Sequence, residues 1–300
     1  MEETKYIWSN GKLIDWNSAT THVLAHTLHY ASGVFEGIRA YKTERGVAIF
    51  RLDEHIDRLI FSANAIKLKL PYSKQELIEA SKKIIAENHL EEGYIRPLVY
   101  NGYGELGVGA QNKTEVVVAC WAWPKYHKTD GGLDVKTSSF IRIHPKSSIV
   151  EAKICGHYIN GLLALQELQG TKYHEALMLD SDGFVSECSS ANIFFVKDNV
   201  IYTPGLGTIL PGITRDFVIK LAIDLGYKVI EKKITCDDIY NADEAFFTGT
   251  AVEITAMRSL DDKSIGKDGV NPVTTNLQQE FKKVVTGNND KYSQYLTYVK

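Results

Sequence analysis

Apolar positions along this chain repeat with two periods, and the switches between the periods mark its elements. Tyr6-Ile7-Trp8 and Lys12-Leu13-Ile14 flank Asn10-Gly11, which predicts a hairpin with a tight turn. Residues 34–41 alternate at period two and predict a strand, followed by a turn at 43–46 and a second strand at 47–51. Leu52, Ile56, Leu59, Ile60, Ala63 and Ile66 then fall on one face of a helix that Pro71 ends. Ser73 and Glu76 form a capping box for a second helix reaching about Asn88. Residues 93–100 and 114–121 read as strands, while 26–33 fit neither period.

Residues 124–132 are polar and contain Gly131-Gly132, which predicts a linker. The division expected is a small domain at 1–125, a linker at 126–133 and a larger domain at 134–300 that carries Lys153. In the second part the pattern predicts strands at 133–140, 174–179, 184–187, 192–196, 200–202, 228–235 and 244–247. Helices are expected after Lys153 through Leu162, Leu163, Leu165 and Leu168, from about 213 to Gly226, and over 274–285. Strands and helices are mixed rather than strictly alternating, so the class expected is α+β, not a doubly wound parallel sheet.

Composition narrows the function classes. With 300 residues and 44% apolar side chains the chain can bury a sizeable core in about two domains. Its net charge of -3 carries no basic excess for nucleic acid or an anionic membrane. The first residues lack a signal-peptide core, and the most apolar run, 116–123, is too short to cross a bilayer. Four cysteines without a CxxC pair read as thiols in a reducing cytosol, so a cytoplasmic location is expected. Nine histidines show no HExxH, and no cluster has metal-ligand spacing. The nucleotide signatures GxGxxG and GxxxxGK[ST] are absent as well.

The candidate chemistry centres on Lys153, set among small and apolar residues ahead of a helix. Partial desolvation there would favour the neutral amine, which condenses with aldehydes. Gly212-Ile213-Thr214 opens a helix and is a candidate anion site, although Thr214 capping its own helix is the plainer reading. Thr248-Gly249-Thr250-Ala251 is a small-residue turn that a ligand could approach closely. Arg39, Arg51 and Arg96 each sit in or beside an apolar strand and need an anionic partner, which for any one of them is most simply a surface carboxylate. Glu187 ends a strand among small residues that leave room for a flat ring.

Taken together, these pieces resemble the fold type IV aminotransferases that use pyridoxal 5′-phosphate, nearly end to end. The marks are Tyr30, Phe35-Glu36-Gly37-Ile38-Arg39-Ala40-Tyr41, Tyr94-Ile95-Arg96-Pro97, Leu106-Gly107-Val108, Leu210-Pro211-Gly212-Ile213-Thr214-Arg215 and Gly249-Thr250-Ala251-Val252-Glu253-Ile254-Thr255. Within that group the order and spacing are similar to the branched-chain amino acid aminotransferases. The resemblance implies two domains with the cofactor between them, and transamination between leucine, isoleucine or valine and 2-oxoglutarate. It implies that Lys153 carries the cofactor and moves the substrate Cα proton, and that Glu187 faces the pyridine nitrogen. It implies that Tyr158 meets the ring's phenolic oxygen. Arg51, Leu210, Gly212, Ile213, Thr214 and Thr250 would surround the phosphate end. Tyr30, Phe35, Gly37, Arg39, Val108, Trp123 and Tyr126 would line the substrate pocket, with Arg96 for the γ-carboxylate and Tyr94, Thr250 and Ala251 for the α-carboxylate. Members are at least homodimers, with hexamers as a larger assembly, and the loop at Leu106-Gly107-Val108 completes the neighbour's site. His157, Gly161 and Ala191 depart from the usual asparagine, serine and glutamate. The Glu187 segment therefore leaves open other enzymes of the fold: D-amino acid or (R)-amine aminotransferases and aminodeoxychorismate lyases.

Overall fold

The computed structural model describes residues 2–123, 131–266 and 269–299. The chain divides into two compact units. The first joins Met1–Pro124, Ala152–Gly156 and Lys283–Lys300; the second joins Lys125–Glu151 and His157–Lys282.

The first unit is built on strands β1 (Tyr6–Ser9), β2 (Lys12–Asp15), β3 (Gly33–Phe35), β4 (Ile38–Thr43), β5 (Gly46–Phe50), β6 (Gly93–Asn101) and β7 (Thr114–Trp121). Helices α1 (His26–Tyr30), α2 (Leu52–Ala65) and α3 (Lys74–Glu87) join them. The antiparallel sheet runs Leu296–Tyr298, β5, β4, β6, β7, β1, β2, with β3 also on β6. Asn10 and Gly11 turn the first hairpin with φ of 48° and 90°, a pair that suits asparagine and glycine. Ser73 and Glu76 form the expected capping box on α3. Leu52, Ile56, Leu59 and Ala63 of α2 pack with Leu77, Ile84 and Ile85 of α3 in the core over the sheet.

The single strand expected at 34–41 is two strands. Phe35 pairs with Leu98 and Ile38 with Ile95, so Glu36-Gly37 spans the break opposite Pro97. Proline has no N–H to continue the ladder there, and its carbonyl accepts from the Glu36 N–H at 2.9 Å.

Lys153 belongs to this unit, not to the domain expected at 134–300. The Phe35 N–H donates to the Lys153 carbonyl at 3.1 Å, and Val34 bridges Ile154. Ala152 and Ile154 are buried in the same core. The C-terminal Leu296–Tyr298, which showed no strand signal, adds an edge strand to β5. Tyr126 and most of the expected linker lie outside the described residues.

The second unit holds strands β8 (Leu133–Thr137), β9 (Glu175–Leu179), β10 (Val185–Cys188), β11 (Asn192–Lys197), β12 (Val200–Thr203), β13 (Lys228–Glu231), β14 (Glu244–Gly249), β15 (Glu253–Leu260) and β16 (Lys263–Ser264). They run β10-β9-β8-β15-β14-β11-β12-β13, with β16 on β15. Helices α4 (Ile159–Gln166), α5 (Ile213–Asp224) and α6 (Cys236–Tyr240) accompany them, and α7 (Pro272–Val285) follows. Ile193, Phe195, Phe247, Met257 and Leu260 form the centre of one buried face. The strand expected at 228–235 stops at Glu231, because Thr235 and Asp238 make a capping box that starts α6. β15 gave no strand signal, since its buried positions do not alternate. No helix among the described residues is long and apolar enough to cross a membrane.

Candidate active site

In the first unit Lys153 is fixed on both sides. Its N–H donates to Ser62 Oγ at 2.9 Å, and its carbonyl takes the Phe35 N–H. Its ammonium nitrogen stands 5.1 Å from the centre of the Phe35 ring. The same ring faces Arg96, whose guanidinium lies 4.8 Å from Phe35, 5.4 Å from Tyr94 and 5.8 Å from Trp121. Arg96 Nε is buried with no hydrogen-bond partner among the described residues. A cation boxed by aromatic faces and left with a donor to satisfy suits a carboxylate ligand.

Tyr94 carries the rest of this half. It stacks on Trp123 at 4.5 Å, and it stands opposite Arg39 across β4 and β6. Arg39 in turn lies over the Tyr41 ring. Gly37 passes so close that a Cβ there would fall 1.8 Å from the Tyr94 hydroxyl oxygen, so glycine is required by space. Phe35, Gly37, Arg39, Tyr94, Arg96, Trp123 and Lys153 are thus linked through adjacent strands and shared ring contacts. Tyr30 and Val108 are exposed. The His26 ring packs against Tyr30 at 4.5 Å, and its Nε2 meets the Gly107 carbonyl at 2.8 Å.

Arg51 is placed differently. It precedes α2 in a left-handed conformation, with φ of 52°. Its Nε pairs with Glu54 at 2.7 Å and its guanidinium lies over the Tyr295 ring. The arginine on the α2 face that bears Ser62 is Arg58, which the sequence reading did not single out. Its Nε and Nη2 bind the two oxygens of Glu36 at 2.6 and 2.9 Å. His55 Nδ1 meets Glu36 Oε2 at 2.7 Å. Burial opposes the Glu36 charge, but Arg58 and His55 outweigh it and hold the carboxyl below its usual range. Burial likewise holds His55 below its usual range despite Glu36, so a neutral imidazole donates Nδ1–H to the carboxylate. The spacing of His55, Arg58 and Ser62 along one helical face was the available signal for this cluster.

In the second unit the centre is Glu187, a buried carboxylate at the end of β10. Arg142 Nε donates to its Oε1. The Leu210 N–H reaches it at 3.2 Å and Asn192 Nδ2 donates to Oε2 at 2.9 Å. Burial disfavours the Arg142 cation, but Glu187 outweighs it and the guanidinium pKa is raised. Arg142 Nη1 also donates to the His157 carbonyl at 3.3 Å, next to Tyr158. Neither Arg142 nor Asn192 stood out in the sequence, because nothing local pairs them with Glu187.

Leu210 leads to Gly212, the N-cap of α5, which supplies no side-chain cap. A twelve-residue helix so begun presents the backbone N–H groups of its first turn, Ile213 and Thr214 among them, to an anion. Thr248 stands opposite Asn192 across β11 and β14, one residue before Gly249, two before Thr250 and three before Ala251. Thr248 Oγ1 is buried with no hydrogen-bond partner among the described residues. A rigid buried carboxylate, an uncapped helix start and an orphan hydroxyl fit a ligand with a protonated ring nitrogen and a phosphate.

Two of the unusual residues have a packing cause. A Cβ at Gly161 would stand 2.7 Å from the Ser189 carbonyl, so this α4 has no room for a serine. Ala191 lies where a Cβ on Gly249 would come within 3.3 Å, which keeps the 249–251 turn close to β11.

Residues 33–260 match the model of the amino-transferase class IV family. The chain is 47% identical over 298 residues to a branched-chain-amino-acid aminotransferase of Pseudomonas aeruginosa, covering 98% of this chain and 97% of that one. It is 40% identical over 292 residues to the enzyme of that name from Escherichia coli, covering 95% and 94%. A crystal structure of the T.th. branched-chain amino acid aminotransferase with pyridoxamine 5′-phosphate superposes with a TM-score of 0.97 at 42% identity, covering 100% of both chains. The chain therefore belongs to the class IV aminotransferases, among the branched-chain amino acid aminotransferases of fold type IV.

Proposed function

We propose that this enzyme transfers the amino group of L-leucine, L-isoleucine or L-valine to 2-oxoglutarate, with pyridoxal 5′-phosphate as cofactor. The observation that carries the reading is the doubly anchored Lys153, its amine on Phe35 beside the aromatic box around Arg96. The cofactor supplies an aldehyde that receives amino groups and a pyridine ring that takes up electron density from the substrate Cα.

Lys153 would hold the cofactor through its side-chain amine, and the same amine would serve as the base for the substrate Cα proton. Glu187 would accept the hydrogen bond of the pyridine N–H, and Arg142 and the Leu210 N–H keep that carboxylate aimed. Tyr158 would donate to the ring's phenolic oxygen. The Ile213 and Thr214 amides and the Thr250 hydroxyl would take the phosphate. Arg58 would serve as the phosphate-side cation rather than Arg51, because it shares the α2 face of Ser62, which anchors Lys153, whereas Arg51 precedes the helix and lies over the Tyr295 ring. Arg96 reads the γ-carboxylate of glutamate and 2-oxoglutarate. Tyr94, Thr250 and Ala251 hold the α-carboxylate, and Phe35, Gly37, Arg39, Tyr30, Trp123 and Tyr126 shape the apolar part of the pocket.

A cytoplasmic homodimer is the working form in this reading. All four cysteines are unpaired thiols, which suits a reducing compartment. The loop bearing Leu106 and Val108 exposes both, Val108 by 84%, yet Asn101, Asn112 and His26 hold its backbone in place. A fixed apolar loop suits a second copy, whose pocket Val108 would complete.

The test is a panel of amino donors with 2-oxoglutarate as acceptor. Turnover of L-leucine, L-isoleucine and L-valine above all others is expected. Preference for D-alanine or an (R)-amine would replace this reading with the other branches of the fold.

A further inference from the structure

Asn192 makes contacts to both ends of the second unit's site. Its Nδ2 donates to Glu187 Oε2 at 2.9 Å and to the Leu210 carbonyl at 3.0 Å. Both neighbours are acceptors, so the amide can face them only with its nitrogen. Its Oδ1 is then turned to Gly212, where a Cβ would approach it to 2.0 Å. Asn192 is itself buried, opposite Thr248 on β14. One side chain therefore touches the acid that faces the ring nitrogen and sets the turn that starts the phosphate helix.

We propose that Asn192 is a positioning residue that couples recognition of the pyridine ring to recognition of the phosphate. The proposal rests on the roles given above to Glu187 and to the α5 N-terminus. An anion at α5 fixes the Leu210–Gly212 turn. That turn holds the Asn192 amide, and the amide holds Glu187 in the orientation the ring nitrogen needs. Ring binding fixes the same amide from the other side, so each ligand favours the other. Gly212 is part of the device: its backbone, with φ of -68°, is open to any residue, and a side chain is excluded by space, first by Asn192 Oδ1 at 2.0 Å and less tightly by the Arg215 Cβ at 3.2 Å.

The experiment splits the cofactor into its two parts. Full-length protein stripped of cofactor is titrated with pyridoxal, which lacks the phosphate, with and without saturating inorganic phosphate, following absorbance and protein fluorescence. In the wild type, phosphate should tighten pyridoxal binding by roughly fivefold or more. In Asn192→Leu, which keeps roughly the size, loses the donor and adds no charge, that factor should fall to about one while pyridoxal and phosphate still bind singly. Gly212→Ala should lose the factor too, by displacing the amide without changing it. Glu187→Gln, which keeps an acceptor for Asn192, should retain more of it than Asn192→Leu. A merely structural role for Asn192 would weaken both ligands and leave the factor intact, which overturns the proposal; so does a wild-type factor of one. If pyridoxal 5′-phosphate itself fails to bind the wild type, the proposed function falls first and takes the coupling with it.

Discussion

Arg58 and Glu36 meet through two parallel hydrogen bonds, Nε to Oε1 at 2.6 Å and Nη2 to Oε2 at 2.9 Å, in the interior of the first unit. Glu36 is fully buried there, and His55 completes its coordination. Removing one member of such a pair leaves the other charge desolvated, at a cost of about 3–5 kcal/mol. Glu36→Gln should therefore lower the unfolding free energy by about that much at neutral pH. Because Glu36 is held below the usual carboxylate range, its contribution is present at neutral pH and fades as pH falls below about 4.3, the ordinary glutamate value. Urea denaturation of both proteins between pH 7 and pH 3 checks the sign. The gap should narrow on acidification, and a gap that widens contradicts the assigned charge state.

The two arginines of the α2 region make opposite predictions. Arg58→Ala should weaken pyridoxal 5′-phosphate binding by at least about tenfold, since a charge-assisted hydrogen bond to phosphate is worth about 1.5–3 kcal/mol. Arg51→Ala should disturb the contact with Tyr295 and leave that affinity within about threefold, because Arg51 precedes α2 and lies over that ring. Equilibrium titration of the two stripped variants distinguishes them, and the reverse order would restore Arg51 to the phosphate.

Arg96→Ala removes the cation from the aromatic box of Phe35, Tyr94 and Trp121. The KM for 2-oxoglutarate should rise by about tenfold or more while the KM for leucine changes much less. Equal losses for the two substrates would show that Arg96 does not read the γ-carboxylate.

Gly37→Ala places a methyl group 1.8 Å from the Tyr94 hydroxyl. Tyr94 must move, and with it the Trp123 ring stacked on it. A fall of about a hundredfold in kcat/KM is expected, in line with small displacements of positioning groups, with retention of bound cofactor. Activity near wild type would mean that Tyr94 is mobile and carries no specificity.

Most of the scaffold was legible because its signals are local. The Asn10-Gly11 hairpin, the Ser73 capping box and the apolar faces of α2, α3 and α5 depend on neighbours within a turn or two. What escaped depends on contacts far apart in sequence. Lys153 leaves its chain neighbours to join Phe35 and Ser62, and Leu296–Tyr298 becomes a strand only because β5 offers an edge. The site divided the same way. Lys153, Glu187 and the Gly212 turn stood out by residue type and spacing. Arg58, Arg142 and Asn192 did not, since each matters through a partner 22, 45 or 5 residues away that no periodic pattern connects to it.

The central claim is that Lys153, among all the lysines of the chain, holds the cofactor aldehyde. Borohydride reduction of the yellow holoenzyme followed by peptide mass mapping reads this directly. A phosphopyridoxyl group on the peptide containing Lys153, and its disappearance in Lys153→Ala, is the expected result; the group on any other lysine contradicts the account.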